Sequence, residues 1–200
     1  MEQEKVWDKV ASPWKGFRKQ KFPQIDEFLE GKKGKILDLG CGAGRNFSKQ
    51  EGLEFYGVDF SSEMIKFAGE YAEEIGVDVE LKVGEVNDIP YSDGFFGYVI
   101  YNAVLHCVET PEKRRKSLEE VFRVLKKNGE AIITVWSRNQ KRVKNKPKES
   151  YIPWGVGGEK VMRYYYLYEK DELEDLIKNV GFEIVKIWED YNINVIVRKA

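Results

Sequence analysis

The chain has 200 residues, of which 42% are hydrophobic, 14% aromatic and 34% charged. That size and balance suit one globular domain and exclude disordered and fibrous classes. Two cysteines, Cys41 and Cys107, and one histidine, His106, exclude a disulfide framework and a Cys/His zinc site.

The net charge of −1 hides a polarised chain. Residues 49–94 hold 3 basic and 12 acidic side chains, whereas 111–148 hold 13 basic and 4 acidic. A basic half of a near-neutral protein can still hold a polyanion, because the local field steers association. The polar, acidic start lacks the basic-then-apolar order of a signal peptide, and no apolar run approaches the length of a bilayer span. The expectation is a cytoplasmic protein of one domain over 1–200, with no metal and no membrane association.

Taken in chain order, β-branched or aromatic runs bounded by Gly, Asn or Asp predict strands over 35–40 and 55–60. A helix is predicted over 61–75, with Ser61 or Ser62 as N-cap and Met64, Ile65, Phe67, Ala68, Tyr71 and Ala72 at helical spacing. Strands follow over 79–85 and 96–102. A second helix, 110–127, has Pro111 at its first position, an apolar stripe of Leu118, Val121, Phe122 and Leu125, and Gly129 past its end. The next strand is 130–136. Residues 137–168, with Pro147, Pro153, Gly155, Gly157 and Gly158, break the alternation and read as an insertion. After a helix over 170–180, the runs 183–189 and 193–198 are joined so tightly that only an antiparallel hairpin fits. The expected fold is α/β: doubly wound, with a mostly parallel seven-stranded sheet whose last strand is antiparallel.

The most informative stretch is Ile36-Leu37-Asp38-Leu39-Gly40-Cys41-Gly42-Ala43-Gly44-Arg45-Asn46. An apolar strand runs into three glycines at alternating positions, and a helix is expected next. Glycines let backbone approach a ligand closely, and a helix N-terminus favours a negative group. The spacing is not that of the dinucleotide fingerprint, because Arg45 stands where its third glycine would be. Asp59 ends the second strand, where a carboxylate can accept from two ribose hydroxyls. The ligand implied is an adenosine compound without a pyrophosphate.

On these residues the chain resembles the class I S-adenosylmethionine-dependent methyltransferases, a resemblance that spans 35–199 and includes the reversed final strand. It implies S-adenosylmethionine as cofactor, with Asp38, Gly40, Cys41, Gly42 and Gly44 around its methionine part and Asp59 and Phe60 at the ribose. Gly84-Glu85-Val86-Asn87-Asp88-Ile89-Pro90 resembles the segment that brackets the adenine, with Glu85 near the exocyclic amine and Val86 as a backbone contact. Asn102, at the end of the fourth strand, completes the cofactor set.

Residues outside that set bear on the acceptor. Val6, Trp7, Trp14, Phe17 and Arg18 resemble a helical lid over 1–34. Tyr151-Ile152-Pro153-Trp154, Arg163-Tyr164-Tyr165-Tyr166, Ala103-Val104-Leu105-His106 and Thr134-Val135-Trp136 together resemble the tRNA wobble-uridine carboxymethyl methyltransferases. Cys107 and Tyr166 stand where that family often has histidine. The resemblance implies tRNA as partner, methyl esterification of a 5-carboxymethyl group, and a small zinc-binding activator subunit. A carboxylate is already anionic at neutral pH and needs no general base.

His106, Arg18 and Arg163 are the expected catalytic donors, with Trp14, Trp154 and Tyr164 as walls or stacking platforms. The plainer reading makes His106 a satisfied histidine at a strand end, the arginines surface groups and Tyr164 core. Arg138, Lys141 and Arg142, with Lys144, Lys146 and Lys148, are expected to meet phosphates from the substrate-side insertion 137–168, or else to form a solvated loop. Two other functions stay open: a small-molecule O- or C-methyltransferase, and a non-catalytic cofactor-binding subunit.

Overall fold

The computed structural model describes residues 3–17 and 22–200. Arg18, with Lys19 and Lys21, lies outside the described residues. The elements in chain order are α1 (Gln3–Phe17), α2 (Pro23–Leu29), β1 (Gly34–Leu39), β2 (Leu53–Asp59), α3 (Ser62–Ile75), β3 (Val79–Val83) and β4 (Phe96–Asn102). A single 3-10 turn (Leu105–Cys107) precedes α4 (Pro111–Val124), β5 (Leu125–Trp136), β6 (Glu149–Val156), β7 (Glu159–Tyr166), α5 (Lys170–Val180), β8 (Glu183–Glu189) and β9 (Asn192–Arg198).

Seven strands form one sheet in the order β3-β2-β1-β4-β5-β9-β8. Pairing is parallel from β3 through β5, and β9 runs antiparallel to both neighbours. The strands are apolar on both sides because both are covered. In β1, Ile36 packs with Ile25, Phe28 and Leu29 of α2 and Ala68 and Ala72 of α3. The next residue, Leu37, enters the opposite layer with Leu118 and Val121 of α4 and Leu173 and Ile177 of α5.

Several boundaries follow their local chemistry. The Ser61 hydroxyl accepts from the Met64 N–H at 3.1 Å and caps α3, which ends on Gly76 at φ 65°. Thr110 caps α4 in the same way, through the Lys113 N–H at 3.2 Å. That helix stops at Val124, short of the predicted 127, because Leu125 turns extended and pairs with Phe96. Gly129 is therefore not a helix terminator but a close-approach residue: a Cβ there would meet the carbonyl oxygens of Gly97 and Lys126 at 2.9 Å.

One expectation is corrected. No helix follows the glycine loop; residues 42–46 are turns and 47–50 irregular. Residues 45–52 contain one apolar anchor, Phe47, which packs edge-on against Phe55 at 5.9 Å. One anchor cannot make a helical face. The insertion 137–168 is regular in part: outside the main sheet, β6 and β7 form a two-stranded antiparallel hairpin. Gly157 (φ 56°) and Gly158 (φ 88°) supply the two positive φ values of a type I′ turn.

The hairpin and α1 close the molecule over the C-terminal ends of the parallel strands. Val6 and Val10 of α1 pack against Val161 of β7. The Gln3 amide oxygen accepts from the Tyr164 N–H at 2.9 Å, and Lys15 pairs with Glu70 of α3 at 2.5 Å. Among the described residues, no helix is long and apolar enough to cross a membrane.

Candidate cofactor and acceptor site

A cavity of about 570 Å³ opens at the C-terminal ends of β1, β2, β4 and β5, under α1. Strand order reverses between β1 and β4, the place where open α/β sheets leave a crevice for ligands. Gly40 (φ 70°) and Gly42 (φ 53°) bend the chain across its floor. Gly40 admits no side chain, since a Cβ there would lie 2.4 Å from Val104 Cγ2. Val104 is held over the loop by Ala103, a non-glycine residue at φ 62° whose N–H donates to the Thr134 carbonyl at 2.9 Å.

Behind the loop, Asp38 is 1% exposed. The Asn46 amide donates to its two oxygens at 3.0 and 3.2 Å, and Asn102 Nδ2 donates to Asn46 Oδ1 at 3.5 Å. Burial pushes the Asp38 carboxyl up to about 7, against the pull of the Asn46 hydrogen bonds and the Arg45 charge. Asn102 Oδ1 is buried without a hydrogen-bond partner. Asp59 accepts from the Gly42 N–H at 2.9 Å and the Ser61 N–H at 3.0 Å. Burial raises it to about 6, with Asp8 and Glu85 adding like charge. The Ser61 hydroxyl donates to Asp8 Oδ1 at 2.6 Å, which ties α1 to the acid at the strand end. Glu85, Val86 and Asn87 line the same cavity.

The far wall is aromatic. His106, 1% exposed, stacks with Trp136 (5.5 Å, 28°) and Tyr165 (5.3 Å, 25°), which stack on each other at 4.3 Å. The Trp136 N–H donates to His106 Nδ1 at 3.3 Å. A ring accepting at Nδ1 carries its proton on Nε2 when neutral, and so presents a donor there. Arg142 lies over the outer face of Trp136 at 3.7 Å, at the rim.

The predicted site residues divide. Gly40, Cys41, Gly42, Asp59, Phe60, Glu85, Val86, Asn102, His106, Trp14 and Arg142 all line the cavity. Asp38 and Gly44 lie just behind it, Gly44 against the Phe47 ring. Arg163 is enclosed instead, with Trp7, Trp14, Trp154 and Tyr165 around its guanidinium, and Nη1 donates to the Tyr165 hydroxyl at 2.8 Å. Tyr164 is 3% exposed, and its hydroxyl accepts from Arg114 at 3.0 Å, so it offers no stacking face. Trp154 packs on Trp14 at 5.3 Å. Arg138 and Lys148 face Glu169, at 3.9 and 3.1 Å, whereas Lys141 is exposed on the outer turn.

Asn46, Trp136, Tyr165 and Ser61 do structural work at the site that the sequence reading did not assign to them. Asn46 follows the glycine loop by two residues, but only the turn there, in place of a helix, brings it back to Asp38. Tyr165 could have been found from the period of two in β7, which puts Arg163 and Tyr165 on one face and Tyr164 on the other.

These residues fit the sulfonium cofactor that the family resemblance implied. A buried carboxylate near neutrality and an unmet amide oxygen are together a receptor for an ammonium group. Asp59 offers acceptor oxygens beside them, and glycine backbone leaves the floor open.

Comparison with known proteins agrees with this geometry. Residues 30–187 match the methyltransferase domain family. The chain is 33% identical, over 68% of its length, to a tRNA (carboxymethyluridine(34)-5-O)-methyltransferase of Arabidopsis thaliana, and spans 33% of that protein. It is 24% identical to the protein of the same name from Schizosaccharomyces pombe, over 90% of this chain and 88% of the other. A solved methyltransferase in complex with the Haloferax volcanii Trm112 methyltransferase activator superposes with a TM-score of 0.73, covering 96% of this chain and 97% of that one. Its identity is 15%, so that likeness is one of fold.

Proposed function

The chain belongs to the methyltransferase domain family, of the class I S-adenosylmethionine-dependent kind, and on that footing we propose that it esterifies the 5-carboxymethyl group of the wobble uridine in tRNA. Bound S-adenosylmethionine supplies a methyl group on a sulfonium, open to in-line displacement. In this reading Asp38, Asn46 and Asn102 receive the ammonium end, Asp59 the ribose hydroxyls, and Glu85 and Val86 the adenine.

The observation that carries the acceptor assignment is the wall of His106, Trp136 and Tyr165. Its histidine, at the cavity wall, takes a backbone N–H on Nδ1, so the neutral ring carries its proton on Nε2 and offers no base there. A carboxylate with a pKa of about 4 is ionised at neutral pH, so it needs a donor to hold it and no base to activate it. Alignment of such a nucleophile with the methyl carbon can be worth about 7–11 kcal/mol of barrier. Trp136 and Tyr165, stacked on each other and on His106, fix the histidine ring. Arg142, over Trp136 at the rim, offers a guanidinium plane to an unstacked base, one way single-stranded RNA is gripped.

Exposed Lys141, Lys144 and Lys146 lie on the turn that carries Arg142 to the cavity rim, and in this reading they meet anticodon phosphates. The names of the plant and fission-yeast relatives support the same acceptor. The Haloferax neighbour, solved with the Trm112 methyltransferase activator, supports assaying the protein with an activator subunit. A tRNA substrate would place the protein in the cytoplasm.

The test is transfer of labelled methyl from S-adenosylmethionine to tRNA bearing 5-carboxymethyluridine, with and without an activator, followed by nucleoside analysis. An esterified wobble nucleoside is the expected product. Cofactor binding without transfer under either condition would move the acceptor to a small molecule.

A further inference from the structure

We propose that Glu120 and Arg123, on the outer helix α4 and away from the cavity, are positioning residues for the cofactor's adenine. They clamp the turn that carries Glu85, Val86 and Asn87. The inference rests on the reading that these three residues face the adenine.

The turn has few ties of its own. It leaves β3 through the Gly84 N–H, which donates to the Asp59 carbonyl at 3.0 Å, and it closes on an Asp88 N–H to Glu85 carbonyl bond at 3.1 Å. Gly84 and Pro90 meet at its neck, where a Cβ on Gly84 would come 3.2 Å from Pro90 Cδ. No strand or helix takes up the backbone again until Phe96, so the peptide groups of residues 89–91 have no neighbouring strand to bond. Buried peptide groups need partners, and here side chains of α4 add to the one local bond, from the Tyr91 N–H to the Ile89 carbonyl.

Ile89 is 2% exposed, and its N–H donates to Glu120 Oε2 at 2.9 Å. Its carbonyl accepts from Arg123 Nη2 at 2.9 Å as well as from the Tyr91 N–H at 2.7 Å, and the Tyr91 carbonyl accepts from Arg123 Nη1 at 2.7 Å. The two side chains also bind each other, Nη2 to Oε2 at 2.7 Å and Nε to Oε1 at 3.0 Å. One ion pair thus holds both polar groups of Ile89, as a neighbouring strand would. The Arg123 guanidinium keeps the Glu120 carboxyl down at about 2, so the clamp stays charged across the working pH range.

Ile89 lies two residues beyond Asn87, the last of the three cavity-lining residues. Any slackening at Ile89 therefore moves the adenine-facing backbone directly. Recognition by backbone atoms tolerates shifts of only about half an ångström.

The experiment compares binding of S-adenosylhomocysteine and S-inosylhomocysteine, in which the exocyclic amine is replaced by oxygen, by titration calorimetry. Wild type is expected to prefer the adenosine compound. In Arg123→Met that preference should fall about tenfold, the loss expected when one hydrogen-bonded group is misplaced. Glu120→Gln retains an acceptor for Ile89 and should lose only a few-fold; it keeps the test open if Arg123→Met does not fold. Arg115→Met breaks the exposed pair with Glu119 on the same helix and should leave the preference unchanged. A global loss of stability would not alter the ratio of two ligands that share their methionine part. A folded Arg123→Met or Glu120→Gln variant with the wild-type preference overturns the clamp alone. A wild type that binds neither compound, or both equally, overturns the adenine reading and the clamp with it.

Discussion

The side-chain amide of Asn46 donates to both carboxylate oxygens of Asp38, fixing a buried acid with a partner that carries no charge. A neutral donor orients the carboxylate and offsets only part of the cost of its burial. The protein therefore holds, at the end of its first strand, an acid poised to gain from a cation. Asn102, with an amide oxygen that has no partner, stands on the other side of Asn46.

The pH dependence of cofactor binding follows from that poise. The folded-state value of Asp38, about 7, is raised above the ordinary carboxylate range. Ionising it destabilises the unliganded fold; this penalty is absent below the unfolded value of about 4 and complete above about 7. A bound ammonium favours the ionised form, so binding expels the proton, and affinity should rise as pH increases through 6 to 7. Asp59, raised to about 6, acts in the same direction. Titration calorimetry at pH 5.5 and pH 8 checks this; equal affinities would contradict it, and Asp38→Asn should flatten the dependence.

Gly40 and Gly31 separate close approach from backbone strain. Both have φ 70°, but a Cβ on Gly31 would meet nothing within 4 Å, whereas one on Gly40 would meet both Val104 methyls at 2.4 and 2.7 Å. Gly31→Ala should cost about 1 kcal/mol, from strain alone. Gly40→Ala should cost about 3 kcal/mol, because overpacking against a stiff β-branched neighbour is added. It should also weaken cofactor binding, since Val104 must leave the cavity wall. Denaturant unfolding of both variants tests the difference.

Arg163 acts through Tyr165 in this account, by the 2.8 Å bond to its hydroxyl. Tyr165→Phe keeps the stacked ring and removes that bond, so methyl transfer should slow while cofactor affinity stays as in wild type. His106→Ala should slow transfer further, again at constant cofactor affinity. Single-turnover rates paired with calorimetry distinguish this from a change in cofactor binding, which would lower both.

RNA binding should be salt-dependent and should lean on the outer turn. Lys141, Lys144 and Lys146 are exposed, whereas Lys148 pairs with Glu169 and Glu172 at 3.1 and 3.0 Å. Neutralising the first three should reduce the slope of log K against log salt by up to about 0.9 for every phosphate they had neutralised. Lys148→Gln should change it little. A slope untouched by the triple change would place the RNA elsewhere.

Much of this was legible from local pattern. The parallel strands, the Ser61 and Thr110 caps, the glycine loop with Asp59, and the closing hairpin all follow from hydrophobic period and turn chemistry. The β6–β7 hairpin had a signal too, the Gly157-Gly158 pair between alternating runs, but Pro153 and the neighbouring glycines masked it. The helix expected after Gly44 failed because a glycine loop resembles a helix start whether or not apolar residues follow. The burial of Arg163 and Tyr164 was not legible. It depends on α1, more than a hundred residues away in sequence, lying across the hairpin. The role of Glu120 and Arg123 was hidden for the same reason, since from sequence they read as a solvated face of α4.

The most direct test of the central claim exploits the chemistry of the product. Protein, labelled S-adenosylmethionine and tRNA bearing 5-carboxymethyluridine are incubated with and without a zinc-binding activator, and the recovered RNA is treated with mild alkali. A methyl ester hydrolyses to carboxylate and methanol, so the account predicts RNA-bound label that is released as volatile methanol, and none when the tRNA carries unmodified uridine. Label that stays on the RNA through alkali, as a methyl on nitrogen or carbon would, contradicts it.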